Sequence, residues 1–572
     1  MWNFLRQFWF AVSGPTLYRI PDSRLGQSTE YHASILESAP SVLIRCTNSF
    51  YLFLKWSILF WAPWLYKSIR VPGHLLVYTK YLGCVSAVYL VAHVLRGTGR
   101  YLNPEYHRFL ILYRKAKHEK SEDILEKLTL YTFDSTWPEH FDVRSLPGAA
   151  RRRKKHPPSR PSGVPSIFWP LTWLAAQTVG VRITYPGCTG IINSLTFEPR
   201  MIARDRLRQQ YGIRRVGIRT RAGDFVESFY VDRRGSAADP NVKGHGDSKG
   251  EILVLCCEGN GGYPEIGISC IPLDQGYSVL AWNHPGFGCS TALPLPDKEQ
   301  NAVEAVLLFA VHYLHFQLEQ ICLFAWSIGG YTATWAAMNY PEIGGVILDA
   351  TFDNIDELTR KMCPQFLYPL TLAAVRSHLD LNNLGQLIAY DGPVRIIRRS
   401  SDEIITTDEP PTRLSNRGNN LLVGLLKYRF PHLVSTENEA RLWDFLSLNS
   451  REQGEFVEQM DHLCDSIGPM VLRQLKNEAL ARQTEADNIR VPPVSVPTIG
   501  LFPSALGSQV TDPEIKWSML MYLVIKNFSE CPGEHCTPLV HTYFQLPWSP
   551  FMEDRCPESI WSGFGNVSEP SE

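Results

Sequence analysis

Apolar residues in the C-terminal two thirds of the chain form short continuous runs, and segments with helical spacing separate these runs. Residues 252–257 and 277–282 are continuous apolar runs, as expected of strands that are buried on both faces. Residues 301–316 place apolar side chains three and four positions apart, as in a helix that packs on a sheet. The runs 345–348 and 393–397 continue the alternation. The pattern predicts an α/β fold with a mostly parallel sheet.

The segments on either side set the bounds of this domain. Residues 215–220 and 225–231 flank a turn and predict a leading antiparallel pair, so we place the α/β domain at 213–545. Within it, residues 407–510 have a helical pattern that suits an insertion or lid. The remaining residues, 546–572, are assigned to a C-terminal tail.

Two long apolar stretches, 49–66 and 75–95, follow an N-terminal segment at 1–48. Each approaches the length that spans a bilayer, and Trp and Tyr near the ends of the first are typical of a membrane interface. We therefore predict a membrane-anchoring hairpin of two transmembrane segments within 49–100. The alternatives are two buried core helices, or one span with one interfacial helix, because each stretch contains a lysine.

Residues 101–212 are assigned to a helical region and a basic linker. The pattern around 110–127 is helical, whereas 151–161 combines consecutive cations with several prolines. Such a run is typical of an exposed linker, and attraction to anionic lipid headgroups is the alternative.

The overall composition restricts the classes of function. The 572-residue chain has 56 Lys and Arg against 57 Asp and Glu, so no net field favours a nucleic acid partner. Its 13 cysteines lack the paired spacing of a zinc site, and reduced thiols in a cytosol-facing domain are the simplest interpretation. We expect no metal and no organic cofactor. The N-terminus also lacks the pattern of a cleavable signal peptide.

The sequence around Ser327 predicts a nucleophile elbow. An apolar run ends at Trp326, and Ser327 is followed by Ile328, two glycines and a segment rich in alanine and aromatic residues. Ala325 replaces the usual first glycine, so a small residue still lies two places before the serine. The backbone N–H of Ile328 is the predicted first oxyanion donor. The alternative is an ordinary Ser/Gly turn before a helix.

A glycine-rich loop at 258–263 predicts the second oxyanion donor. It follows a predicted strand two strand–helix units before the elbow, where glycine lets the backbone approach a substrate closely. We assign the donor to Asn260 or Gly261, and the alternative is a plain loop. The spacing of the glycines and the absence of a P-loop lysine exclude a phosphate-binding loop.

Asp402 is the predicted catalytic acid, because it follows the apolar run 393–397, where a carboxylate can orient a histidine. Asp349 and Asp353, which follow the preceding run, are the alternatives. The base should follow the acid in the chain, so His284 is interpreted as a structural residue of a loop beside the site. The histidines that follow the acid are His432, His462, His535 and His541.

None of these four histidines follows an obvious eighth strand, and the run before His535 looks helical. We favour His535 because it lies in a compact, turn-like segment at 533–539 that begins with glycine and contains proline. The missing strand favours a catalytically inactive hydrolase fold that acts as a membrane scaffold. The intact elbow, acid and glycine loop argue against that alternative.

Several longer motifs extend over most of the chain, namely EGNGG, WNHPGFG, AWSIGGYTATWAAM, RRSSDEIITT, RGTGRYLNPEYHRF, YPG, FYVDRRG, LSNRGN and EHCTPL. They resemble the membrane-anchored α/β-hydrolases known as the phosphatidylserine lipases, or α/β-hydrolase-domain-16 family, also called HLA-B-associated-transcript-5 proteins. Ser327 and Asp402 fall on the nucleophile and acid motifs of that family. The segment around 477–488, where the family places its histidine, contains none here, so His535 remains the predicted base.

The resemblance implies an α/β-hydrolase fold with N-terminal transmembrane segments and a helical insertion. It also implies hydrolysis of an acyl ester of phosphatidylserine to lysophosphatidylserine and a fatty acid, together with cleavage of monoacylglycerols. We therefore expect an integral membrane serine hydrolase of the endoplasmic reticulum or other internal membranes, with a cytosolic catalytic domain and lipid substrates. An acyltransferase or thioesterase with the same triad is the alternative within enzymes.

Overall fold

The computed structural model divides the chain into two compact units, Met1–His140 and Phe141–Glu572. Most of the predicted linker at 151–161 and of the tail at 546–572 lies outside the described residues. The described residues are 2–21, 28–119, 121–147, 155, 165–234, 248–488 and 500–550.

The N-terminal unit has an aromatic core. Tyr106, Phe109, Tyr113, Phe133 and Trp137 are buried, and successive rings lie 5.1 to 5.8 Å apart. These aromatic contacts hold its helices against a small sheet. The elements of this unit are α1 (Trp2–Ser13), β1 (Leu17–Pro21), β2 (Ser28–Glu30), α2 (Ile35–Trp56), α3 (Ile58–Ile69), α4 (His74–Leu102), α5 (Pro104–His118), α6 (Glu122–Thr129) and β3 (Thr132–Phe133).

Helix α4 is the candidate membrane span. Among the described residues it is the one helix that is long and apolar enough to cross a bilayer, and only 6% of its apolar window is buried. The predicted first span at 49–66 differs, because the helix is interrupted at Ser57. The preceding helix, α2, carries Glu37 and Arg45, and α3 has only 12 residues. Helix α4 is therefore one candidate span, and the hairpin of two spanning segments stays a prediction.

A nine-strand sheet, counted within the described residues, forms the centre of the second unit. Its strands are β4 (Glu139–Asp142), β5 (Arg214–Arg219), β6 (Phe225–Val231), β7 (Leu253–Cys257), β8 (Ser278–Trp282), β9 (Ile321–Trp326), β10 (Gly345–Asp349), β11 (Val394–Arg399) and β12 (Phe528–Cys531). Their order across the sheet is β12-β11-β10-β9-β7-β8-β6-β5-β4. The neighbours from β12 to β8 are parallel, and β6 is antiparallel to both β8 and β5. The predicted α/β-hydrolase fold is confirmed.

Buried clusters on both faces of the sheet stabilise this unit. Alternate residues of β7 show the two faces, since Leu253 and Leu255 belong to one cluster and Val254 and Cys256 to the other. The helices of the unit are α7 (Trp169–Ala175), α8 (Val181–Thr184), α9 (Gly190–Leu195), α10 (Phe197–Tyr211), α11 (Cys270–Asp274), α12 (Pro296–His312), α13 (Gly329–Asn339), α14 (Asp356–Met362), α15 (Tyr368–His378), α16 (Asn383–Leu387), α17 (Arg417–Arg429), α18 (Thr436–Ser447), α19 (Ser450–Asn488) and α20 (Pro513–Asn527).

Three helices, α17, α18 and α19, make up most of the described part of the predicted insertion at 407–510. Leu421 of α17, Leu442 of α18 and Val471 of α19 are fully buried in the larger core cluster. These helices therefore form a layer of the core, and their buried faces fix them on the sheet.

Candidate active site

Ser327 lies in a sharp turn between β9 and α13. Its φ is +55°, in the left-handed region that a residue with a side chain rarely adopts. The turn requires glycine on its C-terminal side, because a Cβ on Gly329 would lie 2.2 Å from the carbonyl oxygen of Cys257. A Cβ on Gly330 would lie 2.3 Å from Cγ2 of Thr351. This is the strained strand-to-helix geometry expected of a nucleophile elbow.

Three side chains that the sequence analysis singled out meet at this turn. Nε2 of His535 lies 2.9 Å from Oγ of Ser327, and Nδ1 of His535 lies 2.8 Å from Oδ2 of Asp402. All three residues are buried. The arrangement lets the serine hydroxyl donate to an imidazole whose other nitrogen donates to a carboxylate. Such a series can activate a serine for nucleophilic attack.

The carboxylate of Asp402 is fixed by its own loop. Its Oδ1 accepts the backbone N–H groups of Ile404 and Ile405, each at 2.9 Å, which leaves Oδ2 for the imidazole. The neighbouring Glu403 accepts the backbone N–H of His535 at 3.0 Å. Sequence reasoning did not identify Glu403, although its position next to the acid was visible.

A short strand that the sequence analysis missed leads to His535. Strand β12 pairs in parallel with β11 and ends at Cys531, so the turn after it lies at the carboxyl edge of the sheet. Helix α20 ends at Asn527, directly before the strand, which explains why the run before His535 looks helical. The structure thus corrects the view that no strand precedes this histidine. It also removes the observation that favoured an inactive scaffold.

The two alternative carboxylates bind arginine instead. Asp349 accepts Nε and Nη2 of Arg399 at 2.8 and 2.6 Å. Asp353 accepts the same two groups of Arg417 at 2.8 and 2.6 Å. Neither contacts the imidazole of His535. Within the described part of the chain, no group of three or more His, Cys, Asp or Glu side chains is arranged to hold a metal ion.

His284 is buried and holds the glycine loop. Its Nδ1 lies 2.7 Å from Oε2 of Glu299, and its Nε2 lies 2.9 Å from the carbonyl oxygen of Glu258. These contacts agree with the structural role predicted for it. Of the other later histidines, His432 and His541 are exposed, and the side chain of His462 on α19 lies outside the described set.

The predicted oxyanion donors belong to two adjoining backbone segments. The glycine loop abuts the elbow, since a Cβ on Gly259 would lie 2.6 Å from the Trp326 ring. In the structure as described, the backbone N–H groups of Ile328, Asn260 and Gly261 have no hydrogen-bond acceptor. They therefore remain available to a substrate oxygen, and their assignment stays a prediction.

Comparisons with known proteins extend along nearly the whole chain. Residues 6–134 match the model of the Phosphatidylserine Lipase ABHD16 N-terminal domain, and residues 252–388 match the alpha/beta hydrolase fold. The human phosphatidylserine lipase ABHD16A is 32% identical over 561 residues, which cover 93% of this chain and 94% of that protein. The rat protein of the same name is 33% identical over 583 residues, covering 94% and 98%. This chain belongs to the ABHD16 family.

More distant proteins overlap with parts of this ABHD16 chain. The uncharacterized protein F37A4.1 of Caenorhabditis elegans is 31% identical over 442 residues, covering 75% of this chain and 85% of that protein. Among solved structures, an alpha-beta hydrolase from Vibrio vulnificus has 16% identity and a TM-score of 0.30, covering 43% of this chain and 81% of that one. The Pyrococcus furiosus esterase Pf2001 has 16% identity and a TM-score of 0.29, covering 39% and 79%.

A buried aromatic cluster adjoins the elbow of this ABHD16 family member through the residue after the serine. Tyr185, Tyr263, Phe287 and Phe352 are buried in one cluster with Ile328, the residue after the serine. The hydroxyl of Tyr263 donates to the carbonyl oxygen at position 187 at 2.9 Å, which ties this cluster to the segment after α8. Sequence reasoning placed none of the four aromatic residues at the site, because they come from separate loops and carry no periodic signal.

Proposed function

We propose that this protein is a membrane-associated serine hydrolase that removes an acyl chain from phosphatidylserine and releases lysophosphatidylserine and a fatty acid. The observation that carries the proposal is the hydrogen-bonded series Ser327–His535–Asp402, with distances of 2.9 and 2.8 Å. The choice of phosphatidylserine as the substrate rests on the relatives, which are named phosphatidylserine lipase.

The reaction follows from the geometry as two acyl transfers. Oγ of Ser327 attacks the ester carbonyl carbon while Nε2 of His535 accepts its proton, and the lysophospholipid leaves with that proton. Water then attacks the acyl-serine with His535 as the base, which releases the fatty acid and restores the serine. Asp402 keeps the imidazole in the tautomer that carries its proton on Nδ1. The backbone N–H of Ile328, with Asn260 or Gly261, would stabilise the oxyanion.

An exposed apolar surface beside the site supports a lipid substrate. Trp169 is 55% exposed, Trp173 is 43% exposed and Phe366 is 82% exposed, which is unusual for such large rings. We call this surface the apolar rim. Its members are Ile167, Phe168, Trp169, Leu171, Trp173, Leu174, Val179, Ile183, Met362, Phe366 and Leu367.

Direct contacts tie the apolar rim to the loop of the catalytic acid. The Trp169 ring lies 5.5 Å from that of His378, at the end of α15. From α14, the ammonium group of Lys361 donates to the carbonyl oxygens of Glu403 and Thr406 at 3.0 and 3.1 Å. Lipid that contacts the rim would therefore lie next to the acid loop, whose contacted residues Glu403 and Thr406 are one and four positions after Asp402.

The low charge of the first rim segment suits a lipid surface. Residues 166–195 contain one ionisable cation, Arg182, and no acidic residue. Residues 358–379 add three cations, of which Arg360 pairs with Glu357 and Arg376 pairs with Asp356. Tryptophan beside apolar side chains is typical of membrane interfaces. The same apolar surroundings would accept a monoacylglycerol, which we propose as a second substrate.

We also place the protein in internal membranes such as the endoplasmic reticulum, with its catalytic unit in the cytosol. None of the 11 cysteines that the structure describes forms a disulfide, including the adjacent pair Cys256 and Cys257. Free thiols in this number are typical of a reducing compartment. Protease added to sealed microsomes should digest the catalytic unit if that unit faces the cytosol. Full protection of the unit in the absence of detergent would contradict a cytosolic location.

Replacement of the nucleophile tests the proposed function. Full-length Ser327→Ala should lose labelling by a fluorophosphonate probe and lose phosphatidylserine hydrolysis by about 10⁴-fold or more, because the triad acts as a unit. His535→Ala should lose hydrolysis to a similar extent. The readout is release of fatty acid and lysophospholipid from a panel of phospholipids and monoacylglycerols.

Matched controls come from exposed residues of the same unit. Ser447→Ala and His432→Ala should keep near-normal turnover, since both side chains are exposed and lie outside the triad. A folded Ser327→Ala protein that still labels and hydrolyses would place the nucleophile elsewhere. Formation of a new ester in place of free fatty acid would identify an acyltransferase.

A further inference from the structure

A cavity in the N-terminal unit has no part in the proposed reaction. It has a volume of about 480 Å³ and lies among α1, α4, α5 and the loop that follows β3. Its polar lining includes four Arg or Lys side chains, and its apolar lining comes from Phe10, Pro15, Leu110 and Tyr113. All of these residues belong to one compact unit, so the cavity is a property of that unit alone.

The cations around this cavity outnumber the carboxylates. Arg6, Arg96, Arg114 and Lys117 line it, and Asp134 is the acidic residue among its lining. Within the described residues, none of these four cations forms an ion pair with a carboxylate. Like charges that converge on one volume repel one another, so the unit as it stands favours an anion there.

The single carboxylate is already engaged. Asp134 accepts the backbone N–H of Thr16 and lies 3.5 Å from the hydroxyl of Tyr18. Burial raises the pKa of Asp134, and the backbone N–H of Thr16 opposes that shift. With four cations and one carboxylate in its lining, the cavity keeps an excess of positive charge that a ligand could balance.

Aromatic rings hold the cations at the cavity. The guanidinium carbon of Arg114 lies 3.9 Å from the centroid of Phe10, and that of Arg6 lies 5.9 Å from the same ring. The ammonium group of Lys117 lies 4.5 Å from the centroid of Tyr113. Cation–π contacts of this kind favour positions of these side chains beside the cavity, although Arg6 and Lys117 are also exposed to solvent.

The surroundings of the cavity indicate an amphiphile. Helix α4, which ends beside it, is the candidate membrane span, and α1 exposes Leu5 at 49% and Trp9 at 66%. A free phosphate ion would use the cations and leave the apolar lining without a partner. A phospholipid would place its phosphate among the cations and its first acyl carbons against the apolar residues.

We propose that the N-terminal unit binds the phosphate group of an anionic phospholipid in this cavity, as a site separate from the lipid that is hydrolysed. The cations form the headgroup site, and Arg114 and Lys117 are the two that α5 contributes. Diffuse attraction of basic residues to an anionic membrane is the competing explanation, and the experiment separates the two.

The test uses the full-length protein in a neutral detergent, after a fluorophosphonate with a long alkyl chain has blocked Ser327. Blocking fills the catalytic site, so any lipid retained reports on another site. The protein is incubated with dioleoyl phosphatidic acid, dioleoyl phosphatidylcholine or inorganic phosphate, and bound lipid is measured by native mass spectrometry and by thermal shift. We expect phosphatidic acid to be retained and to raise the melting temperature, whereas phosphatidylcholine and inorganic phosphate should do neither.

Charge-matched variants make the test specific. Arg114→Gln/Lys117→Gln should weaken phosphatidic acid retention by about tenfold or more, because two charge-assisted contacts are lost. The control Lys115→Gln/Lys127→Gln removes the same charge from exposed positions of the same unit and should leave retention unchanged. Circular dichroism and unchanged fluorophosphonate labelling before the block confirm folding.

Two outcomes would overturn the proposal. Equal loss in both double variants, or loss in neither, would show that the cavity is not a lipid site. Stabilisation by inorganic phosphate to the same degree as by phosphatidic acid would identify a free-anion site and overturn the assignment to a lipid.

Discussion

The carboxyl group of Glu258 shows how one residue supports the site without touching the reacting atoms. It is buried behind the glycine loop, where a Cβ on Gly267 would lie 2.1 Å from its Oε2. The backbone carbonyl oxygen of Glu258 accepts a hydrogen bond from Nε2 of His284. The side-chain carboxyl of Glu258 accepts the backbone N–H of Ile268 at 3.1 Å. Burial raises its pKa to about 7, although the Ile268 N–H opposes the shift.

This raised pKa predicts the pH dependence of folding. In the unfolded chain the group titrates near 4.5, so the folded state keeps the proton to higher pH. The stability that comes from the protonated group is fully present below that unfolded value and is lost as the pH rises through about 7. Glu258→Gln mimics the protonated acid, so its stability relative to wild type should increase between pH 5 and pH 8 by on the order of 2 to 3 kcal/mol.

Urea unfolding monitored by tryptophan fluorescence at several pH values measures this difference. Glu437→Gln is the control, because Glu437 is exposed on α18 and its replacement should leave the pH dependence unchanged. Parallel curves for Glu258→Gln and wild type would show that Glu258 does not titrate in this range.

Residues adjacent to strand ends were the predictable ones. Ser327 and Asp402 follow apolar runs, so the sequence that precedes each of them indicates a position at the end of a strand. Glu258 lies in the same loop as the predicted oxyanion donors, yet nothing local distinguishes its buried carboxyl from a solvated one. Its role depends on contacts with Ile268 and His284, which only the folded chain brings together.

The four-residue strand β12 shows the limit of prediction at the level of elements. A strand of four residues that begins where a helix ends is too short for periodicity to reveal. Its partner β11 was predicted from a continuous apolar run, but β12 contains a serine and a glutamate, Ser529 and Glu530. The glutamate is buried because it pairs with Arg398 of β11, whose Nη1 also donates to the carbonyl oxygen of Leu446 at 2.7 Å.

The Arg398–Glu530 pair should be essential for the packing of β12 against β11. Glu530→Gln leaves the buried guanidinium without its counter-charge and should lower the free energy of unfolding by about 3 to 5 kcal/mol. Labelling of Ser327 should fall with it, because the turn that holds His535 follows this strand. Chemical denaturation and fluorophosphonate labelling measure the two effects.

Two further variants test whether the unpaired buried charge causes the loss of stability. Arg398→Met/Glu530→Met should recover much of the stability, since replacement of both partners removes the unpaired charge. Glu439→Gln, which breaks the exposed pair with Lys427, should cost less than about 1 kcal/mol. A Glu530→Gln protein as stable as wild type would show that contacts other than this ion pair hold β12 against β11.

At the scale of the whole molecule, the proposed function gives the apolar rim a role in how substrate reaches the triad. A bilayer lipid would have to leave its neighbours and enter the site, and exposed Trp169 and Phe366 would provide apolar contacts along that path. The rim was not predictable from periodicity, because the helices that form it are short and are interrupted by a π-helical turn at Ala176–Gly180.

Polar substitution of the rim should separate two kinds of substrate. Full-length Trp169→Ser/Phe366→Ser should lower kcat/KM for phosphatidylserine in vesicles by about tenfold or more, since both side chains lose apolar contact with the bilayer. Hydrolysis of a soluble short-chain ester should stay within about twofold of wild type, because the triad is untouched. Initial rates on both substrates provide the comparison.

The control Leu480→Ser/Ile515→Ser replaces exposed apolar residues of α19 and α20, away from the rim. It should leave both rates unchanged. An equal fall in the two rates of the rim variant would indicate damage to the site and contradict a role in lipid contact.

Under the proposed mechanism, the order of the triad along the chain makes completion of the fold the step that creates activity. During synthesis Ser327 emerges first, Asp402 next, and His535 only 133 positions after the acid. A growing chain would therefore hold a serine that has no base. We expect activity only once β12 has docked against β11, so an unfinished chain would hydrolyse no lipid.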